Sequence, residues 1–317
     1  MNLSPENVVR LKLAAALVAF AAGLGAVLAV VLLAHSTPSA GSTSSGPQAA
    51  SPPPPPPAAS SSFPAPPAGS VVLAKEDRDL AVGLAVTPAG IAEASVVGQE
   101  GPASGLSVAV DSAPTRACGP GCYRAHLGNT MSRTVQVSIR GLHRPESTVS
   151  FQLPPAAPSA TGIVRRAERT WRGLETLVVH DHLSSGPGSA IDTVWRFKAP
   201  HRMTYQIRNG PAAVSIGARR WDKLPGQRWQ PSQQDPITEP IPLWESVSDA
   251  HLLGSATVRG RAVWEVSFFD AQIPAWFTIW VDKASGRTLE LRMIAQAHFM
   301  HQVYGPFNRP LTIVPPV

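Results

Sequence analysis

Two cysteines stand four residues apart in Arg116-Ala-Cys-Gly-Pro-Gly-Cys-Tyr123, around a Gly-Pro-Gly turn. In an oxidising compartment Cys118 and Cys122 can close a tight disulfide loop, contributing about 2 kcal/mol on the chain-entropy estimate. The alternative is a thiolate pair for a metal with His126 nearby, but two thiolates and one imidazole fall short of a closed zinc site. A second metal-capable group is His298, Met300 and His301, whose imidazoles and thioether suit copper. His180 and His182 flank Asp181 on one strand face. Leu177, Val179 and Leu183 mark the other face as the buried one, so the two imidazoles are expected in solvent. Gly-x-Ser-x-Gly, His-Glu-x-x-His and phosphate-loop spacings are all absent. Asp181, Asp192, Asp270 and Asp282 sit at strand ends and turns rather than as a pair, and Asp282-Lys-Ala-Ser-Gly-Arg287 reads as a turn. These residues predict a non-catalytic protein with no cofactor.

The aromatic residues carry the other candidate chemistry. Every tryptophan lies between Trp171 and Trp280. Trp195, Phe197, Tyr205, Trp264, Phe268, Trp276 and Trp280 fall on alternating strand positions. Trp195 with Phe197, Trp264 with Phe268, and Trp276 with Trp280 are each expected to share a face. On a concave face, such a set makes an apolar cavity able to sequester a lipid chain. On a filled face, it makes only the core between sheet and helix.

The elements that must position these residues divide the chain. Short valine-rich strands are predicted at Asp79–Val86, Ala92–Val97, Leu106–Val110, Cys122–Leu127, Thr134–Ile139 and Val149–Leu153, which makes residues 71–155 a small antiparallel sandwich. From 160 to 317, Ile163, Val164, Ala167, Trp171 and Leu174 repeat at helical spacing, with arginines opposite. Strands follow at Thr176–Leu183, Ile191–Lys198, Arg202–Arg208, Ala213–Ile216, Arg219–Lys223, Ala256–Arg259, Ala262–Phe269, Trp276–Asp282 and Thr288–Ala295, with a short helix expected near Trp244–Leu252. A helix laid in one long curved antiparallel sheet is α+β.

Ahead of both regions, Leu13–Ala34 is an apolar run long enough to cross a bilayer as a helix. Arg10 and Lys12 precede it, and no charge follows until Lys75. The charge bias predicts a single-pass membrane protein with residues 1–12 in the cytoplasm, an uncleaved anchor over 13–35, and the remainder outside. Residues 36–70 hold Pro, Ser, Ala and Gly with a run at Pro52–Pro57. They are expected to form a disordered, semi-stiff stalk reaching up to roughly 100 Å. The net charge of +6 is spread over the chain without the clustered basic stripe that nucleic acid requires, so no nucleic-acid partner is expected.

Two family resemblances attach to these segments. Leu80-Ala-Val-Gly-Leu-Ala-Val-Thr-Pro, Cys118-Gly-Pro-Gly-Cys-Tyr-Arg-Ala and Val149-Ser-Phe-Gln-Leu-Pro resemble the YtkA-like or CopC-like immunoglobulin-type domain. Trp195-Arg-Phe-Lys-Ala-Pro-His-Arg-Met, Ile216-Gly-Ala-Arg-Arg-Trp-Asp-Lys-Leu-Pro and Phe277-Thr-Ile-Trp-Val-Asp-Lys-Ala-Ser-Gly-Arg-Thr-Leu are similar to the LolA-like superfamily of lipoprotein carriers, LprG-type lipoproteins and RseB-type regulators. The second resemblance implies an unclosed half-barrel holding acyl chains. The first implies exported proteins linked to copper resistance, and leaves an envelope or copper-homeostasis module that docks a protein partner as the alternative. The tail from His298 to Pro316 has no counterpart in either pattern.

Overall fold

A computed structural model describes residues 65–127, 133–141, 144–235 and 240–316. The Leu13–Ala34 segment and the stalk up to residue 64 lie outside these residues. Among the described residues no helix is long and apolar enough to cross a membrane.

The first β-rich region runs β1 (Val71–Asp77), β2 (Leu80–Val86), β3 (Ile91–Gly98), β4 (Gly101–Pro102), β5 (Ser107–Val110), β6 (Ala113–Pro114), β7 (Arg116–Gly119), β8 (Cys122–His126), β9 (Arg133–Gly141) and β10 (Arg144–Leu153). One sheet has the order β1-β2-β3-β8-β7 with β4 on β3, and the second has β10-β9-β5-β6. Leu80, Val82, Leu84 and Val86 of β2 share a core with Val135, Val137 and Ile139 of β9 and with Phe151 of β10. The two sheets are therefore layers on one apolar interior, as strand alternation requires. β1 was not among the predicted strands; it pairs along the whole of β2, from Val71 against Val86 to Asp77 against Leu80.

The second region holds α1 (Thr161–Arg172), then β11 (Thr176–Ser184), β12 (Ile191–Lys198), β13 (Arg202–Ile207), β14 (Ala212–Ile216), β15 (Arg219–Lys223) and β16 (Gln230–Gln233). It continues through β17 (Val247–Val258), β18 (Arg261–Asp270), β19 (Ala275–Asp282), β20 (Thr288–Ala295) and β21 (His298–Phe307). All eleven strands form one sheet in the order β16-β15-β14-β13-β12-β11-β21-β20-β19-β18-β17, which begins and ends on different strands and so stays open.

One expectation is corrected here. The segment near Trp244–Leu252 is not helical, because Val247–Val258 is the edge strand β17. Its register slips between Ser248 and His251 and again between Leu252 and Gly254. Two bulges in one strand break the period of two and leave apolar residues at spacings that imitate a helix. The Asp270 carboxylate accepts the backbone N–H groups of Glu245 and Ser246 at 2.6 and 2.9 Å, holding the entry to this strand extended. The tail from His298, which has no counterpart in either family pattern, supplies β21, which lies between β11 and β20 and pairs with both.

The two regions share an interface. Val72, Ala81, Ala85 and Val97 of the first cluster with Phe269, Trp276, Ile294 and Phe299 of the second. Strand β2 is buried along its whole length because it faces the second small sheet on one side and the eleven-stranded sheet on the other. Its unbroken apolar sequence is the signature of that double burial. A Cβ on Gly83 would lie 2.3 Å from Trp276 Cζ2, so the indole seats where this glycine has no side chain.

Candidate functional site

Cross-strand partners in a sheet share a face, and the register sorts the candidate aromatics. Tyr205 opposes Trp195 and Met203 opposes Phe197. Trp195 opposes Val179, and Asp181 opposes Thr193. Val179 opposes Tyr304, and Asp181 opposes Gln302. Leu291 opposes Gln302 and Ile279; Val266 opposes Ile279, Phe268 opposes Phe277, and Trp264 opposes Val281. Trp195, Phe197, Tyr205, Trp264 and Phe268 therefore belong to one face, which runs unbroken from β13 to β18.

Helix α1 covers that face. Its buried residues Val164, Ala167 and Trp171 form one helical stripe, and the Trp171 ring meets Tyr304 edge-on at 5.2 Å. At the other end of the stripe the Arg166 guanidinium lies 5.9 Å from the Trp264 ring. Trp244 packs on Phe268 at 5.7 Å and donates its indole N–H to Glu168 of the helix at 3.1 Å. Along the sheet the Trp195 ring stacks with Phe197 at 6.3 Å and tilts against Tyr205 at 4.9 Å.

Trp276 and Trp280 share a face as expected, but it is the opposite one. Trp276 opposes Phe269 and Trp280 opposes Glu265. Trp276 is committed to the interface with the first region, and Trp280 lies under the Arg292 guanidinium at 5.6 Å. The seven aromatics thus divide five and two, and only the five face α1. Sequence reasoning passed over Trp244, Asp181, Thr193, Gln302 and Tyr304 as part of this layer. Trp171 was legible as a helix-face residue. Tyr304 was hidden because the alternation of β21 is blurred in the sequence: Gln302 is polar at an inward position, while Phe299 and Val303 are apolar on the opposite face.

Polar groups are set among the aromatics. Among the described residues, both Asp181 carboxylate oxygens, the Thr193 hydroxyl and the indole N–H groups of Trp171 and Trp195 are buried with no hydrogen-bond partner. Burial raises the Asp181 carboxyl to about 7, outweighing the lowering by Trp195, Gln302 and His182. Tyr304 donates to Gln302 Oε1, and its own phenol is raised well above the usual range by burial and then by Asp181. Farther along the face, Arg220 is buried and donates to Tyr205 Oη and Gln234 Oε1 at 3.3 Å each. Buried polar atoms are almost always satisfied by protein or water. Four residues left unsatisfied in one layer mark a place where the protein's own atoms do not complete the packing.

The other candidate groups separate. Cys118 and Cys122 are joined in a disulfide. Their sulfurs and the Glu93 carboxylate lie within 4.8 Å of one another, while Glu93 also accepts from Arg124 Nε at 2.7 Å. His180 and His182 are exposed, and His182 Nδ1 lies 2.8 Å from Asp192. Met300 belongs to the helix-covered face with Leu183. His301 belongs to the opposite face, 3.4 Å from Glu290, so Met300 and His301 do not converge. The turn expected after Asp282 is present. Burial would raise this carboxyl, but Arg261 and Ser285 outweigh it and hold it down at about 2.

No family model and no curated protein matches the chain. Among solved structures it is similar to LprF from Mycobacterium bovis, at 12% identity and a TM-score of 0.38, over 51% of this chain and 99% of that one. It is similar to the lipoprotein LppX from Mycobacterium tuberculosis at 11% identity and a TM-score of 0.37, over 48% of this chain and 97% of the other. A LolA superfamily protein from Nitrosomonas europaea follows at 12% identity and a TM-score of 0.24, over 49% and 96%. At these scores the likenesses carry no weight for function, and the side chains must supply it.

Proposed function

We propose that the chain is a non-catalytic binding protein that holds an apolar chain, from a lipid or a lipoprotein, between α1 and the open sheet. The observation that carries this reading is the helix-covered layer itself. Five aromatic side chains, Trp195, Phe197, Tyr205, Trp264 and Phe268, line it, and Asp181, Thr193, Trp171 and Trp195 present polar atoms there without a hydrogen-bond partner among the described residues. A ligand with a long apolar part and a hydroxyl, ester or amide group would complete both sets of contacts. The helix that would have to shift is a single one, packed across a sheet that does not close. In this reading residues 71–155 form a sandwich that supports the carrying half-barrel of residues 160–317. The Leu13–Ala34 segment holds both outside a cell membrane, and the 36–70 stalk spaces them from it.

The test uses the full chain in a neutral detergent and a neutral acylglycerol with a fluorescent polyene chain. The Trp195→Ala/Phe197→Ala double variant should bind at least about tenfold more weakly while keeping its far-ultraviolet circular dichroism, given about 0.8 kcal/mol for each methylene left without contact. Trp280→Ala, on the opposite face, should bind within twofold of the parent. Equal loss in both variants, or no binding by the parent, removes the reading.

A further inference from the structure

The geometry points to a second subsite that takes the anionic, phosphate-type head group of an amphiphile, at the end of the sheet where the β17–β18 and β19–β20 turns meet the end of β21. It deepens the reading of the helix-covered face and rests on it. A cleft of about 360 Å³ opens there, lined by Arg259, Arg261, Ser285, Arg287, Tyr304 and Phe307 among others. That volume lies within the roughly 300–1,000 Å³ of small-molecule sites. Its floor includes Tyr304 and Leu289, which are 1% and 3% exposed. Tyr304 is the same ring that meets Trp171 under the helix, so the cleft abuts the aromatic layer.

The rim is cationic. The Arg287 guanidinium lies 5.1 Å from the Phe307 ring, has no carboxylate partner among the described residues, and so keeps its in-plane N–H donors for an incoming group. Arg259 spends one nitrogen on the carbonyls of Leu289 and Tyr304, at 2.9 and 2.7 Å, which fixes the side chain at the edge. Arg261 is held by Asp282 at 2.7 Å. Two further cations stand beside the same turn. Arg166 donates to the Lys283 and Ala284 carbonyls at 3.2 and 2.8 Å, and both Arg166 and Lys283 lie about 6 Å from the Trp264 ring. Against these five positive side chains the carboxylate in contact with them, among the described residues, is Asp282. Planar guanidinium forks match tetrahedral oxyanions better than point charges do. An aromatic layer leading to an arginine rim is the arrangement an amphiphile with a phosphate head requires.

The experiment is isothermal titration of the full chain, in a neutral detergent, with three probes: dihexanoyl phosphatidic acid, dihexanoylglycerol and inorganic phosphate. The two lipids have the same acyl chains and differ by the phosphate alone. Phosphatidic acid should bind at least about tenfold more tightly than the glycerol, as charge-assisted contacts to one phosphate provide, and the advantage should shrink with added salt. Arg287→Gln should cut that advantage to about threefold or less with the glycerol affinity unchanged, and Arg287→Lys should restore part of it. Arg261→Gln gives a second reading should Arg287→Gln melt early. Equal binding of the two lipids, or an advantage that survives in both variants, overturns the subsite and leaves the apolar layer standing. Inorganic phosphate binding as tightly as phosphatidic acid, with no uptake of the glycerol, overturns the amphiphile and the apolar layer together. Failure of all three probes to bind also overturns both.

Discussion

Asp181 shows what one side chain contributes when burial outweighs its polar neighbours. Its carboxyl is raised from 3.8 to about 7 because burial disfavours the charge more than Trp195, Gln302 and His182 restore it. Between about pH 4 and 7 the folded chain keeps a proton that the unfolded chain has released. Stability is therefore highest below about pH 4 and falls as pH rises toward 7, by on the order of 4 kcal/mol if this group acted alone. Asp181→Asn should remove that slope and stabilise the protein above pH 7, as read by urea unfolding at steps from pH 4 to 8. A slope of the same sign in the Asn variant would place the titrating group elsewhere. This residue also marks the limit of what the sequence conveyed about the site. Alternation placed Leu177, Val179 and Leu183 inside and His180 and His182 outside, but Asp181 sits at an inward position. Only the register, which sets it against Thr193 and Gln302, reveals which groups it is buried among.

Individual elements were legible where the period runs unbroken and obscure where a bulge or a polar residue at an inward position interrupts it. The helix Thr161–Arg172 and the strand Arg202–Ile207 follow their periods cleanly, because arginines and polar residues occupy the outward positions. The first half of Val247–Val258 reads as a helix in the sequence through its bulges. The strand His298–Phe307 is not predicted, because Gln302 is polar at an inward position while Phe299 and Val303 are apolar on the opposite face. The division of the aromatics was obscure for a related reason. Parity pairs Trp276 with Trp280, but nothing local says which face of their strand meets α1 and which meets β2. Gly83 settles that matter, since the Trp276 ring occupies the space of its missing Cβ. Gly83→Ala should destabilise the protein by about 1–3 kcal/mol through overpacking, and Trp276→Ala by about 3–5 kcal/mol through the void it leaves. The double variant should cost less than the sum, since each change acts on the same contact. Additive losses in chemical denaturation would mean that the two positions do not meet.

For the whole molecule the same contact decides whether the two β-rich regions behave as one body. Val72, Ala81, Ala85 and Val97 are buried against Phe269, Trp276, Ile294 and Phe299. Polar contacts tie the edges of this interface: Gln296 Nε2 donates to the Gln99 carbonyl at 2.9 Å, Gln99 Nε2 to the Ser185 carbonyl at 3.2 Å, and the Gly69 N–H to Asp249 at 2.7 Å. An interface that buries one face of a central strand in each partner cannot open without exposing apolar surface on both. Chemical unfolding of the full chain should therefore show one transition, with tryptophan fluorescence and far-ultraviolet circular dichroism superimposing. The two signals report different parts, since every tryptophan lies in the second region while strands of both contribute to the dichroism. Trp276→Ala should separate the curves, because the smaller region, which keeps its own core, then unfolds independently. Superimposed curves in that variant would mean that the remaining seven residues of the interface suffice. Separated curves in the parent would make the contact a weak docking between independently stable regions. The apolar ligand supplies a further discrimination at this scale. Held under α1, it should raise the midpoint of the fluorescence curve in both proteins, and shift the dichroism curve of the parent with it only while the two regions remain coupled.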